Sequence, residues 1–494
     1  MRTILAIDQG TTNTKALLVD ETGQVLARAS RPVQINYPRP AWVEQDGWML
    51  WNTTRDCIVE LVDHLSEQLC NSITAVAVTN QRETVLVWDR KTGEPAGPAI
   101  IWQCRRTSPF CDDLRARGLD GHITRLTGLT IDPMPSGSKA RWLLHSIPDG
   151  YKRATSGELA IGTVDSWILW NLTGGKVHAT DTSNASRTQL FNLETADWEP
   201  ELLDLFGIPA AALPEIKHSS AFYGETVSLG KLPGGIPITS LVGDSHAALF
   251  GHAGFEPGMV KATYGTGTSL MSPTLQPIFS SRGISTTVAY SRQQVRYALE
   301  GNILVTGSAV QWFGQLFGLQ DTGKKIEELA TSVDSTDGVY LVPAFVGLGA
   351  PHWKDRARGN ISGLTRGSSM AHIARSTLEA IAYEVRDVFD AMESDSGAPL
   401  QMLLADGGAS QNTFLMQFQA DILGRPVQRN LSSDIAPVGA AYLAGLEVGI
   451  WKDEAEIAAL PRQVDLFEPK MDESTRTGLY SGWKDAVART VYQP

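Results

Sequence analysis

A strand–turn–strand at the start of the chain constrains the fold more than any other stretch. Thr3-Ile4-Leu5-Ala6-Ile7 and Ala16-Leu17-Leu18-Val19-Asp20 are apolar runs separated by the polar Asp8-Gln9-Gly10-Thr11-Thr12-Asn13-Thr14-Lys15. Each run is too short for a helix, and the insert is too short for a crossover, so the unit reads as a β-hairpin with a Gly-Thr-Thr tip. Such a tip suits an anion. Gly10 lets backbone N–H groups approach a phosphate, and the hydroxyls of Thr11, Thr12 and Thr14 add donors. Lys15 supplies a positive charge, and Asp8, at the end of the first strand, can hold a hydrated divalent cation.

The same pattern returns in the second half. Val260-Lys261-Ala262-Thr263-Tyr264 leads into Gly265-Thr266-Gly267-Thr268-Ser269 and a further apolar stretch, again strand, Gly/Thr loop, strand. Later, Asp406-Gly407-Gly408-Ala409-Ser410-Gln411-Asn412 opens an amphipathic helix expected to run through Leu423 and to stop at Gly424. Two phosphate-type hairpins heading two halves, with a Gly-Gly loop at a helix N-terminus, suit a nucleotide held in an interdomain cleft. The length of 494 residues fits two large domains as well as about three of roughly 150 residues. The boundary is placed near residue 250, giving domains 1–250 and 251–494.

A net charge of −12 offers no basic field, which argues against nucleic acid and against an anionic membrane surface as partners. Only a few apolar residues precede Asp8, too few for a signal peptide, and no uncharged run is long enough to span a bilayer. Cys57, Cys70, Cys104 and Cys111 show no metal-type spacing and read as reduced thiols of a cytoplasmic protein.

Gln24–Ala29 reads as a third strand, Gly47–Gln68 as a surface helix, Pro98–Trp102 as a strand and Lys139–His145 as a helix. The buried strand Ile73–Thr79 ends in Asn80-Gln81-Arg82-Glu83-Thr84, where Arg82 can donate to, and Glu83 accept from, vicinal hydroxyls. Ile236–Val242 leads through Gly243 into Asp244-Ser245-His246 and a helix. These adjacent residues cannot converge as a hydrolase triad, but a carboxylate at a strand-to-helix turn is placed to take a hydroxyl proton in phosphoryl transfer. Gly318–Lys325 nearly matches a nucleotide P-loop, yet it ends in Lys and follows a helical stretch rather than a strand, so it is set aside.

With these residues in view, the chain resembles the FGGY family of carbohydrate kinases along essentially its whole length. The runs Asn80–Thr84, Trp102–Thr107, Thr182–Thr188, Gly347–Pro351 and Phe414–Gly424 carry the resemblance, as do the stretches Met134–Ser146 and Gly359–Glu379. It implies an α/β fold of two ribonuclease-H/actin-like domains of the hexokinase type, with an interdomain cleft that holds ATP and a small polyol or sugar. The implied reaction transfers the γ-phosphate to a terminal hydroxyl, with glycerol as first choice of acceptor. Erythritol-, xylulose- or ribulose-like acceptors are the alternative, and a non-catalytic actin-fold sugar sensor is a third reading. A homodimer or homotetramer is implied as well.

Carried over by position, Thr11, Thr12, Asn13 and Lys15 would meet the ATP phosphates, with Asn13 and Lys15 standing where the family usually has Ser and Arg. Asp8 would bind Mg²⁺ through water. Thr266, Gly307, Gln311, Gly408 and Asn412 match nucleotide contacts, Asp244 the catalytic base, and Arg82, Glu83 and Trp102 the polyol pocket. Three positions in that pocket depart from glycerol-phosphorylating members, which carry Tyr, Gln and an aromatic where this chain has Met134, Ser245 and Ser269. The expected consequence is a larger, wetter cavity with room for a longer polyol.

Overall fold

The opening hairpin forms as the centre of a sheet. In this computed structural model, which describes residues 1–492, β1 (Thr3–Gln9) pairs antiparallel with β2 (Asn13–Asp20), which pairs with β3 (Val25–Pro32). Helix α1 (Gly47–Asp63) follows, its N-terminus capped by Asp46, which accepts from the Met49 amide. It ends at Asp63, short of the expected Gln68, and Ser66 caps a separate turn at Glu67–Cys70. Strand β4 (Ile73–Asn80) then adds parallel to β1, helix α2 (Ser136–Ser146) follows, and β5 (Ser220–Glu225) and β6 (Pro237–Gly243) close a six-stranded sheet in the order β5-β6-β4-β1-β2-β3. Helix α3 (Asp244–Gly251) leaves the end of β6 directly. A four-stranded sheet beside it includes Ala99–Ile100, a shorter strand than Pro98–Trp102 predicts.

The second half rebuilds the first. Strands β7 (Met259–Tyr264), β8 (Thr268–Thr274), β9 (Ser285–Ser291) and β10 (Val295–Ile303) precede helices α4 (Gly307–Leu316) and α5 (Met370–Ser396). After β11 (Met402–Asp406) come α6 (Thr413–Leu423), β12 (Val427–Asn430), α7 (Ile435–Glu447), β13 (Val464–Phe467) and α8 (Glu473–Val491). The seven-stranded sheet runs β9-β10-β8-β7-β11-β12-β13. From β3 to β5 the pairings read antiparallel, antiparallel, parallel, parallel, antiparallel, and from β10 to β13 they read the same. One sheet plan has been used twice, each time begun by a Gly/Thr hairpin.

Strand alternation explains what each face meets. Leu5, Ile7, Ala16, Leu18, Val76 and Val78 point to the side packed by α1. Ile4, Ala6, Leu17, Val19, Ala75 and Ala77 point the other way, onto Ala247, Leu249 and Phe250 of α3 and Val438, Ala440 and Leu443 of α7. The same cluster takes Met271, Ala289 and Ala298 from the second sheet, so α3 and α7 lie between the sheets. Their crossing is close enough that a Cβ on Gly439 would strike the Ala247 carbonyl, and one on Gly251 the Ile435 carbonyl. The far face of the second sheet, with Val260, Ala262 and Tyr264, packs on α5, α6 and α8. No helix among the described residues is long and apolar enough to cross a membrane.

Candidate active site

The tip of the first hairpin is tighter than a loose phosphate cradle. The Gly10 amide closes the turn on the Asn13 carbonyl at 2.9 Å, and a Cβ on Gly10 would lie 2.9 Å from that same oxygen, which is why the position tolerates only glycine. Its N–H is therefore not free for a ligand. The Thr14 hydroxyl is withdrawn too: buried, it pairs with Thr53 on α1 at 3.0 Å, because residue 14 faces α1. The Thr11 hydroxyl accepts from Trp102 Nε1 at 2.9 Å, and the Thr11 carbonyl accepts from Gln45 at 2.7 Å. Thr12 and Asn13 stand exposed at the tip.

Asp8 lies opposite Lys15 in the β1–β2 register. Burial pushes its pKa to about 7; Lys15 opposes the rise, and Asp244 and Asp434 add to it. A hard oxygen donor whose burial Lys15 does not offset fits a Mg²⁺ ion that keeps most of its waters and takes its other oxygens from phosphates. Among the described residues no group of three or more His, Cys, Asp or Glu gathers to cage a bare ion. Lys15 reaches across to Asp434 at 2.9 Å, just ahead of α7, so it spans the two halves.

The second hairpin and its neighbours form a glycine-rich wall. The Gly265 carbonyl accepts from the Gly307 amide at 2.9 Å, and the Thr266 carbonyl from the amides of Thr306 and Ser308 at 2.8 and 3.2 Å. The start of α4 is thereby docked onto the loop, and a Cβ on Gly307 would lie 2.7 Å from the Gly265 carbonyl. Gly407 adopts φ +95°, and a Cβ there would meet the Tyr264 backbone. By contrast, Gly408 faces open space, and Thr266 and Gln311 are exposed. A 3₁₀ turn over Gly408–Gln411 separates the Gly-Gly pair from α6, so the Gly-Gly loop is not itself the helix N-terminus. Asn412 caps α6, accepting from the Leu415 amide at 2.8 Å, and Gly424 ends it in the left-handed conformation.

Between the two loops sits a chain of charges. Asp244 is the first residue of α3; its Oδ1 accepts from its neighbour Ser245's amide at 2.6 Å and from Arg82 Nε at 3.1 Å. Burial raises its pKa, against the pull of Arg82. Arg82 Nη1 also reaches Glu300 at 2.6 Å; Glu300 pairs with Arg187 at 2.8 Å, and Arg187 donates to Glu83 at 2.6 Å. Burial alone would raise the pKa of Glu300, but Arg187 and Arg82 overcome it and hold it far below the carboxylate range. Glu83 is buried with φ +60°, a conformation that costs a non-glycine residue about 1–3 kcal/mol and persists where surroundings enforce it.

Sequence reasoning missed Glu300, Arg187 and Lys261. The available signal was an isolated charge inside an apolar strand, as in Ala298-Leu299-Glu300-Gly301 and Val260-Lys261-Ala262, since such charges are retained inside only when paired. Lys261 is fully buried, its pKa pushed down to about 8 mainly by burial, and it donates to Ser245 Oγ at 2.5 Å. Ser245 Oγ and Ser269 Oγ lie 2.8 Å apart, joining the two halves. Met134 stands in the loop before α2, its carbonyl accepting from the buried Lys139 and its amide donating to Asp132 at 2.8 Å. His246 faces Thr287, away from Ser245, so the three adjacent residues form no triad. Gly318–Lys325 covers the turn after α4 and the first residues of the helix Thr322–Thr331, with no strand before it, in keeping with its rejection as a P-loop.

The N-terminal domain model of the FGGY family of carbohydrate kinases matches residues 3–251, and the C-terminal domain model of that family matches residues 260–448. A glycerol kinase of Carboxydothermus hydrogenoformans is 48% identical over 98% of this chain and 97% of its own. Glycerol kinase 2 of Thermotoga maritima is 48% identical over 99% of both chains. The crystal structure of Plasmodium falciparum glycerol kinase with ADP superimposes with a TM-score of 0.93 at 34% identity, covering 100% of this chain and 99% of that one.

Proposed function

The chain belongs to the FGGY family of carbohydrate kinases, and on that premise we propose that it transfers the γ-phosphate of ATP to a terminal hydroxyl of glycerol, with Asp244 as the general base. The observation that carries this reading is the position of Asp244 at the foot of α3, between the Thr11–Asn13 tip and the Gly265–Gly267 loop, on a rigid ion network. Oδ1 is committed to Arg82 and the Ser245 amide. That leaves Oδ2 to take the acceptor's proton. A carboxylate whose pKa is raised by burial is a stronger base than a free one, which favours proton transfer as the phosphoryl group moves.

Thr12, Asn13, Lys15 and the backbone of Thr11 face the phosphates from the first half; Thr266, Gly307, Gln311, Gly408 and Asn412 face the nucleotide from the second. Mg²⁺ beside Asp8 supplies neutralisation of phosphate charge when bound. Arg82, Glu83 and Trp102 orient the acceptor, with Met134, Ser245 and Ser269 as its outer wall. In this assignment residues 1–250 hold the polyol and residues 251–494 the nucleotide, and closing the cleft excludes water. Assembly as a dimer or tetramer and a cytoplasmic location go with the reading; light scattering on the purified chain tests the first.

The Ser245–Ser269 pair favours a second reading, a four- or five-carbon polyol or ketose as better acceptor. Two small hydroxyl side chains 2.8 Å apart leave room and offer partners to further hydroxyls. Measuring ATP consumption with glycerol, erythritol, pentitols, xylulose and ribulose decides. Glycerol giving the highest kcat/KM supports the first reading, a longer acceptor the second, and no consumption with any of them would leave a non-catalytic sensor.

A further inference from the structure

Helix α3 carries Asp244 at one end and His252 at the other, where His252 forms the C-cap. His252 is buried, and its Nε2 lies 2.7 Å from Asp406 Oδ2, which also accepts from Thr263 Oγ1 at 3.0 Å. The ring's other nitrogen, Nδ1, is buried with no partner, so the Asp406 contact alone fixes the imidazole's orientation. Asp406 is the last residue of β11, immediately before Gly407, whose φ of +95° suits glycine, and Gly408, which faces open space. Thr263 lies two residues before Gly265. A single carboxylate thus ties the far end of the helix to the roots of both loops on the nucleotide side.

The near end is attached to the same sheet. Ser245 accepts from Lys261 on β7 and pairs with Ser269 on β8. The first half holds the near end as well: Gly243 pairs with Asn80 of β4, its amide donates to Ser183 at 3.0 Å, and Arg82 donates to Asp244 at 3.1 Å. An eight-residue helix is a rod of about 12 Å, stiff enough to move as one piece.

We propose that His252 is a positioning residue that couples occupancy of the nucleotide loop to the placement of Asp244. The proposal rests on the kinase reading above. Filling the loop at Gly407–Gly408 shifts or stiffens Asp406, and His252 passes that change along α3 to the carboxylate that takes the acceptor's proton. Both side chains of the pair are buried, so the influence on Asp244 runs through α3.

His252→Leu removes the donor at similar volume, whereas His252→Gln can place an amide N–H on the same oxygen. In the full-length protein, ADP binding should slow amide hydrogen exchange over residues 244–252 in the wild type and leave it unchanged in His252→Leu. With the preferred acceptor, His252→Leu should lower kcat about tenfold while KM for ATP stays within about twofold, and His252→Gln should recover most of the loss. If His252→Leu does not fold, Thr263→Val removes the other donor to Asp406 and should shift the same readouts in the same direction by less. Equal impairment of the Leu and Gln variants, or a wild-type ADP effect on residues 244–252 that survives in His252→Leu, would overturn the role. The exchange measurement needs no acceptor, so it stands apart from the failure of the function itself, which shows as wild-type protein consuming no ATP.

Discussion

Asp244 and Glu300 contact the same guanidinium and are driven in opposite directions. Glu300, fully enclosed, receives both Arg82 and Arg187 and stays ionised. Asp244 has Arg82 as its ion-pair partner, and Arg82 with smaller help from the Ser245 amide and Lys261 does not offset its burial and the nearby Glu83. The pair divides the work, one anion fixing the arginines and the other left basic. Asp244→Asn is expected to lower kcat by about 10²–10⁴ while ADP affinity, read by calorimetry, is kept. Because its pKa is raised, the acidic limb of kcat/KM against pH should fall above the pH at which an ordinary aspartate titrates. Glu300→Gln removes the anion shared by two buried arginines, leaving Arg82 with Asp244 only and Arg187 with Glu83 only, and should cost roughly 3–5 kcal/mol in a denaturant titration. Asp165 makes a separate test. Burial first, and Asp181 second, raise its pKa from 3.8 to about 7, against the hydroxyls of Thr163 and Thr180. Between those values the unfolded chain gives up the proton that the native chain keeps, so the Asp165 contribution to stability is lost as pH rises from about 4 to about 7. Thermal melts of Asp165→Asn across that window should fall less steeply with pH than those of the wild type.

Among the elements, the crossing of α3 and α7 is the least forgiving. Gly439 lets the two backbones approach to a distance no side chain permits. Gly439→Ala should therefore push the helices apart, cost about 1–3 kcal/mol and lower kcat by displacing Asp244, as a melt and a rate measurement on the same sample would show. The two hairpins were legible in the sequence because their signals are local: a five-residue apolar run, a Gly/Thr tip, a second run. The site's charge network was legible only where it meets the polar turns at strand ends, at Arg82, Glu83 and Asp244. Its centre was hidden because a charge inside a strand declares nothing about its partner, and Glu300 meets Arg82 across 218 residues of sequence. The Thr14 hydroxyl was misread for the opposite reason. Composition made it a donor for the ligand, but Thr53 on α1, which residue 14 faces, had already used it.

At the scale of the whole molecule, the two sheets repeat one plan, yet their packing is shared rather than repeated. Helix α7 comes from the last sixty residues of the chain and covers the apolar face of the first sheet, where Ile4, Ala6, Leu17 and Val19 lie. The order of synthesis then matters. As the chain emerges from a ribosome, the first sheet can pair its strands early, but this face has α3 and not α7 to cover it until residue 447 has been made. Roughly two-fifths of the chain, residues 252–447, is translated while that face waits for α7. Residues 1–250 expressed alone should collect in the insoluble fraction, whereas supplying residues 251–494 in the same cell should bring them back into solution.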